Sequence, residues 1–289
     1  AWQNSPKASG NWSSLLSHPD DVSGHAAGWG IYLLAASDLY EATGKQKYLD
    51  GVIHASGIIT EKHQLPHGSV SHDKGETVCG AGPNEKSELC SHWWYAWLWS
   101  TLTRLTGDAN FADDAEKILY NALPASRAKD ARAVRYYMSP NQLVTPFGTR
   151  PFPKGLYQER QYIECCMSNA PRVVPLIADR MIMRKGEGLA FLYYAPYQAN
   201  IALQNGQTLG ISCETEYPFS SQISFSLDLQ DATSVPLSFR IPQWTDGRFE
   251  LWLNGNELTG SYDPDSGWLT TEQEWQNGDR IELKLPMDV

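Results

Sequence analysis

The stretch GHAAGWGIYLLAASDLYEATGKQKYLD, residues 24–50, predicts two helices joined by a short turn. Apolar residues recur at helical spacing up to position 42, and the Thr43-Gly44 pair then ends the run. Glycine commonly ends a helix in the left-handed conformation, so the next helix begins within a few residues. Residues 45–62, KQKYLDGVIHASGIITEK, then supply an antiparallel partner. The stretch therefore indicates a helical hairpin.

A second stretch repeats this design. Residues 86–105 form another helix-like run that ends at Thr106-Gly107, and DANFADDAEKILYNAL follows at 108–123. The residues after each glycine also match, with Tyr48 and Asp50 after the first and Phe111 and Asp113 after the second. An internal repeat of helical hairpins is typical of a toroid or solenoid of paired helices. Three prolines, Pro146, Pro151 and Pro153, predict a loop over 144–157 within this helical part.

The pattern changes after about residue 186. Short segments that alternate or run apolar are separated by Asn-Gly turn signals, and FELWLNGNEL (249–258) is a clear hairpin candidate. These features predict an antiparallel β-sandwich. The sequence thus indicates an α + β multidomain chain, with a helical toroid over 1–186 and a β-sandwich domain over 187–289.

Composition limits the classes of partner. The 289 residues carry a net charge of -10, which offers no basic surface to a nucleic acid. No apolar run reaches the roughly 18 residues of a membrane-spanning helix, and no signal peptide is visible at the start. The compartment stays open between cytoplasmic and secreted or periplasmic. The 11 tryptophans and 14 tyrosines suit sugar surfaces, but they are also ordinary core residues.

The five cysteines are an odd number in a long chain, which disfavours a disulfide framework. Four side chains, Glu88, Cys90, Cys165 and Cys166, form a plausible zinc shell of one carboxylate and three thiolates. The alternative is that the thiols are buried and structural. The first pair can share a metal only if the helix start is irregular, and the adjacent cysteines need a bend between them. A thiol enzyme is disfavoured because no Cys-x-x-Cys occurs.

Three further side chains are candidates. Glu76 lies in the polar, glycine-rich segment HGSVSHDKGETVCG (67–80), where it could act as a general acid or be a solvated surface carboxylate. His25 opens a predicted helix and is, taken alone, a structural histidine. Tyr136 and Tyr137, in RYYMSPNQL, are predicted to pack rather than to bind.

Five blocks, in order over roughly residues 20–200, resemble glycoside hydrolase family 127, the β-L-arabinofuranosidase type. The blocks are GHAAGWGIYLLAASDLYEATGKQKYLD, KGETVCGAGPNEKSELC, LTRLTGDANFADDAEKILYNALPA, YYMSPNQL and ECCMSNAPR. The resemblance implies an (α/α) six-hairpin barrel with β-sandwich domains and a zinc ion held by one glutamate and three cysteines. It further implies a retaining hydrolase that acts on glycans.

Residue by residue, the resemblance implies Zn²⁺ ligation by Glu88, Cys90, Cys165 and Cys166. Cys165 would be the nucleophile and Glu76 the acid/base, while His25 and Tyr137 match positions that contact sugar. Only about two helical hairpins precede the Cys-Cys block, so the barrel is partial and needs a further segment or a partner chain to close. A non-catalytic carbohydrate-binding or structural protein that keeps zinc for folding is the alternative.

Overall fold

The computed structural model describes Leu15, His18 and residues 20–73, 76–82, 84–130, 132–141, 157–158 and 165–287. The chain divides into two compact units. The first consists of Ala1–Leu102 and Asp114–Leu176, and the second of Thr103–Asp113 and Ile177–Val289. The loop predicted over 144–157 lies outside the described residues, apart from Tyr157. Among the described residues, no helix combines the length and hydropathy needed to cross a lipid bilayer.

The helices dominate the described chain up to residue 180. They are α1 (Ala26–Thr43), α2 (Gln46–His63), α3 (Leu89–Thr106), α4 (Asn110–Lys117), a π-helical segment (Ile118–Ala122), α5 (Leu123–Ala125), α6 (Cys165–Asn169), a 3-10 turn (Ala170–Arg172) and α7 (Val173–Arg180).

The predicted first hairpin is confirmed. Helix α1 ends at Gly44, which has φ 63°, and the Gly44 N–H donates to the carbonyl of Tyr40 at 2.7 Å. The second junction has the same form, because Gly107 has φ 77° and its N–H donates to Thr103 at 2.8 Å. The predicted start of the second run is wrong, since Lys86–Glu88 form a strand and the helix begins at Leu89.

Close packing joins α1 to α3 inside the first unit. A Cβ on Gly30 would lie 2.6 Å from the Cβ of Trp94, so only glycine permits this approach. The hydroxyl of Tyr95 donates to the carbonyl of Ala26 at 2.9 Å. Tyr95 and Trp99 of α3 are fully buried. These contacts fix the start of α3, which carries part of the site described below.

The strands form five sheets. They are β1 (Ser71–His72), β2 (Lys86–Glu88), β3 (Val134–Arg135), β4 (Tyr137–Met138), β5 (Tyr157–Gln158), β6 (Ile182–Lys185), β7 (Gly188–Phe191), β8 (Tyr197–Ala202), β9 (Thr208–Thr215), β10 (Gln222–Leu229), β11 (Thr233–Ser234), β12 (Leu237–Arg240), β13 (Glu250–Leu253), β14 (Asn256–Glu257), β15 (Ser261–Asp263), β16 (Trp268–Thr271), β17 (Glu274–Trp275) and β18 (Arg280–Lys284).

In the first unit, β1-β2-β4 form a three-stranded sheet, and β3 pairs with β5. The second unit holds a six-stranded sheet in the order β14-β13-β18-β10-β9-β8 and a five-stranded sheet in the order β15-β16-β12-β7-β6, with β11 paired to β17. All pairs are antiparallel, as predicted, except β7 with β12, which are parallel. The predicted hairpin is confirmed, since β13 pairs with β14 across Asn254-Gly255.

Apolar rings join the two large sheets of the second unit. Phe225 of β10 lies with its ring centroid 4.9 Å from that of Phe191 on β7 and 5.3 Å from that of Phe239 on β12. All three rings are buried. They follow from the alternation of the strand sequences, in which every second residue faces the core.

A buried ion pair lies beside this core. Arg240 is fully buried, and its guanidinium donates to the carboxylate of Asp113 and to the carbonyl of Leu192. The second oxygen of Asp113 accepts the backbone N–H of Gln243 at 2.8 Å. A buried charge needs such a partner, because water cannot compensate it. Asp113 belongs to the second unit although it lies on α4, far from Arg240 in sequence.

Candidate active site

Glu88 and Cys90 lie where a strand becomes a helix. Glu88 is the last residue of β2, where it pairs with Tyr137 of β4, and its side chain is fully buried. Helix α3 begins at the next residue, so Cys90 lies in its first turn. This change of backbone conformation is the irregular helix start that the sequence spacing required.

Cys165 and Cys166 bring two more sulfur atoms to Glu88. The Sγ atoms lie 3.5 Å and 3.3 Å, respectively, from Glu88 Oε1. The expected bend between them is wrong, because both cysteines open the helix α6. Side chains tilt toward the N-terminus of a helix, so consecutive residues of a first turn can converge on a point beyond that end. One ligand atom from each of Glu88, Cys90, Cys165 and Cys166 lies within 4.8 Å of the others.

This cluster has the donor set of a metal centre. The Oε2 atom of Glu88 is buried and accepts no hydrogen bond from the described residues. Burial raises the pKa of Glu88 to about 7 and raises the pKa of Cys166 far above the ordinary range. A buried carboxylate beside several thiols is a costly arrangement unless a cation compensates it. One carboxylate and three sulfurs are a ligand set that zinc accepts, so these four residues fit the ion.

The four residues differ in exposure. Cys90 and Cys166 are buried, whereas Cys165 is exposed. Hydrogen bonds with Cys166 and Cys90 lower the pKa of Cys165 well below its ordinary value, while the hydrogen bond with Cys165 raises the pKa of Cys90. The sulfur whose pKa is lowered is therefore the exposed one of the three.

A second carboxylate, Glu76, adjoins the cluster. His25 Nε2 lies 3.3 Å from Glu76 Oε2 and 3.6 Å from Glu88 Oε2. His25 precedes α1 as its N-cap, and its Nδ1 accepts the backbone N–H of Gly28 at 2.9 Å. The ring proton of a neutral His25 must therefore be on Nε2, from which it can be donated to Glu76.

The backbone of Glu76 is unusual. Its φ is 65°, in the left-handed region that residues other than glycine seldom adopt. Such conformations are concentrated at functional sites, where surrounding contacts hold them. Here the backbone oxygen of Glu76 accepts the N–H of Ala26 at 2.9 Å, and the hydroxyl of Tyr137 donates to Glu76 Oε1. Gly75, the residue before Glu76, lies outside the described residues.

Two aromatic residues have contacts that their sequence did not predict. The residues alone indicated packing for both Tyr136 and Tyr137, but Tyr136 places its hydroxyl 3.3 Å from Cys165 Sγ and Tyr137 bonds Glu76. The ring of His72, on β1, lies 4.6 Å from the ring of Tyr137. Tyr137 begins β4 and Tyr136 is the residue before it, so adjacency in the chain was the one sign that the two side chains could reach different partners of the same site.

A polar network lies at the residue before Glu88. The backbone N–H of Ser69 donates to His67 Nδ1, so His67 Nε2 donates to the hydroxyl of Ser87 at 3.1 Å. The Ser87 hydroxyl can then donate to His92 Nε2 at 3.0 Å. Burial lowers the pKa of His67 to about 4 and that of His92 well below its ordinary value, so both rings are neutral. The network anchors β2 without adding charge next to Glu88.

The arrangement brings an exposed thiol and a second carboxyl group into one place. Cys165 is the exposed sulfur, and Glu76 is a half-buried carboxyl held by His25 and Tyr137. Six of the seven residues singled out from the sequence belong to two overlapping clusters that share Glu88, and the seventh, Tyr137, donates to Glu76. Asn169, one turn after Cys165, also joins them by donating to Cys90 Sγ at 3.2 Å.

Two family profiles match this chain. The profile of the β-L-arabinofuranosidase GH127 catalytic domain matches residues 16–179, and that of the GH127 middle domain matches residues 188–287. A non-reducing end β-L-arabinofuranosidase from Bifidobacterium longum subsp. longum is 24% identical over 262 residues, which cover 85% of this chain.

Two solved structures share the fold. A GH127 β-arabinofuranosidase superposes with a TM-score of 0.82 at 22% identity over 95% of this chain. A GH127 β-L-arabinofuranosidase from Geobacillus stearothermophilus T6 superposes with a TM-score of 0.81 at 20% identity over 94% of this chain. The chain spans 35% of the Bifidobacterium protein and 44% of each solved structure. Because the catalytic-domain profile alone matches more than half of its residues, this chain belongs to glycoside hydrolase family 127.

Proposed function

We propose that this protein is a zinc-dependent retaining glycoside hydrolase that uses Cys165 as its nucleophile and releases L-arabinofuranose or a related sugar from glycans. The observation that carries the proposal is the exposed Cys165 sulfur within a buried Glu88–cysteine cluster, next to the carboxyl group of Glu76. Two relatives are named as β-L-arabinofuranosidases, which supports this substrate class.

Glu88, Cys90, Cys165 and Cys166 would hold the zinc ion. Bound zinc supplies positive charge that keeps a coordinated thiol ionised near neutral pH. The Oε2 atom of Glu88 supports this assignment, because it is buried, accepts no hydrogen bond from the described residues and lies 3.6 Å from the His25 ring. The two buried sulfurs of Cys90 and Cys166 support it as well.

The side chains of Glu76 and Cys165 carry out the bond-making and proton-transfer steps of the proposed reaction. Glu76 donates its proton to the glycosidic oxygen while the Cys165 sulfur forms a bond to the anomeric carbon and the glycosidic bond breaks. Glu76, now ionised, takes a proton from water, whose oxygen attacks the anomeric carbon and releases the sulfur. Two displacements retain the anomeric configuration. His25 and Tyr137, both bonded to Glu76, set its orientation and contact the sugar.

We further propose that the first unit is part of an (α/α) six-hairpin barrel and that the large sheets of the second form a β-sandwich, with a boundary near residue 186. The ring contacts of Phe225 with both sheets support the sandwich. The two matched helical hairpins support the barrel, which a further segment or a partner chain would close. The partner is a glycan, and neither a nucleic acid nor a membrane is expected.

Elemental analysis tests the metal assignment. We expect about one zinc per chain in the purified protein, because four donor atoms converge on one point. Cys166→Ala should lose most of the zinc, since it removes a buried ligand whose sulfur lies 3.3 Å from Glu88. Cys213→Ala, which alters a buried thiol of the second unit, is the matched control and should keep it. Equal zinc contents in the two variants would contradict the assignment.

Glu76→Gln tests the acid role. We expect kcat/KM for a natural glycan linkage to fall by roughly 10²–10⁴-fold, because proton donation to the leaving oxygen is lost. A nitrophenyl glycoside needs little protonation, so its kcat/KM should fall much less. Glu85→Gln, which changes a carboxylate bonded to Cys79 instead, is the control. Equal losses on both substrates would remove Glu76 from the acid role.

The alternative function is a carbohydrate-binding or structural protein in which zinc serves folding alone. The observation that favours it is the burial of three of the four cluster residues, Glu88, Cys90 and Cys166. Release of arabinose from a nitrophenyl β-L-arabinofuranoside by the zinc-loaded protein separates the two. Zinc retention without any release would favour the alternative.

A further inference from the structure

The six-stranded sheet of the second unit has one polar face that the proposed hydrolase does not use. Its strands alternate, so that β10 buries Ile223, Phe225 and Leu227 and turns the residues between them outward. Strand register brings outward residues into rows, in which Asn200 on β8 and Asp228 on β10 both lie opposite Gly210 on β9. The outward face is built largely from short polar side chains.

A hollow of about 490 Å³ lies on this face. Gln198, Asn200, Ser212 and Asp228 line it, with Gly210 at its centre. A Cβ on Gly210 would lie 2.9 Å from the Cβ of Asp228 and 3.3 Å from Asn200 Oδ1. Any other residue at position 210 would therefore place its side chain inside the hollow. Glycine weakens a strand interior, and it often marks a place where a ligand approaches the backbone.

The polar groups around the hollow are available to a ligand. Among the described residues, none of the side chains of Gln198, Asn200, Ser212 and Asp228 forms a hydrogen bond or an ion pair with another residue. Asn200 and Asp228 are exposed. Together they offer amide donors, carboxylate acceptors and a hydroxyl on one surface, the combination that recognises the hydroxyl groups of a polyol.

A second, smaller hollow of about 50 Å³ lies on the same face, beside Trp252 of β13. Trp252 is half-buried and pairs with Glu282 of β18, which in turn lies opposite Ser224 of β10. By strand spacing and rise per residue, the two hollows are roughly 20 Å apart along a diagonal of the sheet. An aromatic ring at one end provides the apolar surface on which the C–H face of a sugar packs.

The charges of this face disfavour an anionic ligand. Arg280 lies 3.4 Å from Glu282, and Lys284 lies 2.9 Å from Glu250, so the basic groups already have acidic partners. Both hollows lie on the face of the sheet, and strands β9 and β10 beneath them are each hydrogen-bonded to a neighbouring strand on both sides. An added peptide strand would need an unpaired edge, so this surface does not suit strand addition.

We propose that this face binds a neutral oligosaccharide chain of several sugar units, running from the hollow around Gly210 towards Trp252. Asn200, Asp228 and Gln198 hydrogen-bond to its hydroxyl groups at one end, and Trp252 packs against a sugar ring at the other. The surface lies within the second unit and does not depend on Cys165 chemistry. It makes the β-rich part of the chain a second glycan-binding site.

Native gel electrophoresis in gels that contain soluble arabinan, arabinoxylan or mixed-linkage β-glucan tests the proposal. We expect retarded migration in at least one polysaccharide. The double variant Asn200→Ala/Asp228→Ala should lower the affinity at least tenfold, and Trp252→Ala should do so independently. Glu214→Gln is the matched control, because it changes an exposed carboxylate on the same face of β9 outside both hollows and should migrate as the original protein does.

Cys165→Ser separates this surface from the proposed hydrolase. It should be retarded as strongly as the original protein, since its change lies in the other unit. Circular dichroism of each variant confirms that the fold is retained. Retardation lost in Cys165→Ser but kept in the sheet variants, or no retardation in any of the three gels, would overturn the proposal.

Discussion

Replacing Cys165 with serine should reduce turnover of a nitrophenyl β-L-arabinofuranoside by at least about 10³-fold, because a hydroxyl is a far weaker nucleophile than an ionised sulfur. Two structural features lead us to expect that this position is sensitive. Its sulfur is the exposed one, and hydrogen bonds with Cys166 and Cys90 lower its pKa. Steady-state kinetics on the zinc-loaded proteins measures the effect.

Two controls make this result specific. Cys79→Ser alters a partly exposed thiol whose pKa burial raises to about 11, so it should leave turnover unchanged. Mass spectrometry of the original protein with a slowly hydrolysed substrate should find a sugar on the peptide that contains Cys165. Undiminished turnover by Cys165→Ser, or a sugar adduct on any other residue, would reject the nucleophile assignment.

Replacing Asp113 with alanine should lower the free energy of unfolding by about 3–5 kcal/mol, because it leaves the fully buried guanidinium of Arg240 without its carboxylate. The loss also frees the backbone N–H of Gln243, which donates to the same carboxylate at 2.8 Å. Urea denaturation followed by tryptophan fluorescence measures the change.

Glu250→Ala is the matched control for a solvent-facing ion pair. Its partner Lys284 lies 2.9 Å away, but both side chains are more than a third exposed, at 43% and 38%. Water screens such pairs, so the free energy of unfolding should change by less than about 1 kcal/mol. Similar losses for Asp113→Ala and Glu250→Ala would show that the buried pair has no special role.

The elements set by local chemistry could be predicted from the sequence. The helical hairpin at Gly44 follows from apolar spacing and a glycine end, and the turn at Asn254-Gly255 follows from residues that accept positive φ. The candidate metal ligands Glu88, Cys90, Cys165 and Cys166 could be proposed from the sequence because one carboxylate and three thiolates form a plausible zinc shell. In the structure, the ligand atoms of these four residues lie within 4.8 Å of one another.

The remaining features depend on contacts between distant residues. Lys86–Glu88 form a strand because β1 and β4 pair with them on both sides, which no local pattern reveals. The parallel pairing of β7 with β12 joins segments about fifty positions apart. The sequence around Tyr136 predicted a packing residue. Its contact with Cys165 could not be predicted, because it depends on how two separate segments of the chain meet.

The carboxylate that neutralises Arg240 lies on α4, and this has a consequence for protein engineering. A fragment cut to the GH127 middle-domain match, residues 188–287, would include the guanidinium but omit residue 113. We therefore expect residues 188–287 to be less stable when they are produced alone. Anyone who transplants this segment onto another scaffold must carry along the short helical connection at Thr103–Asp113, or redesign the buried arginine.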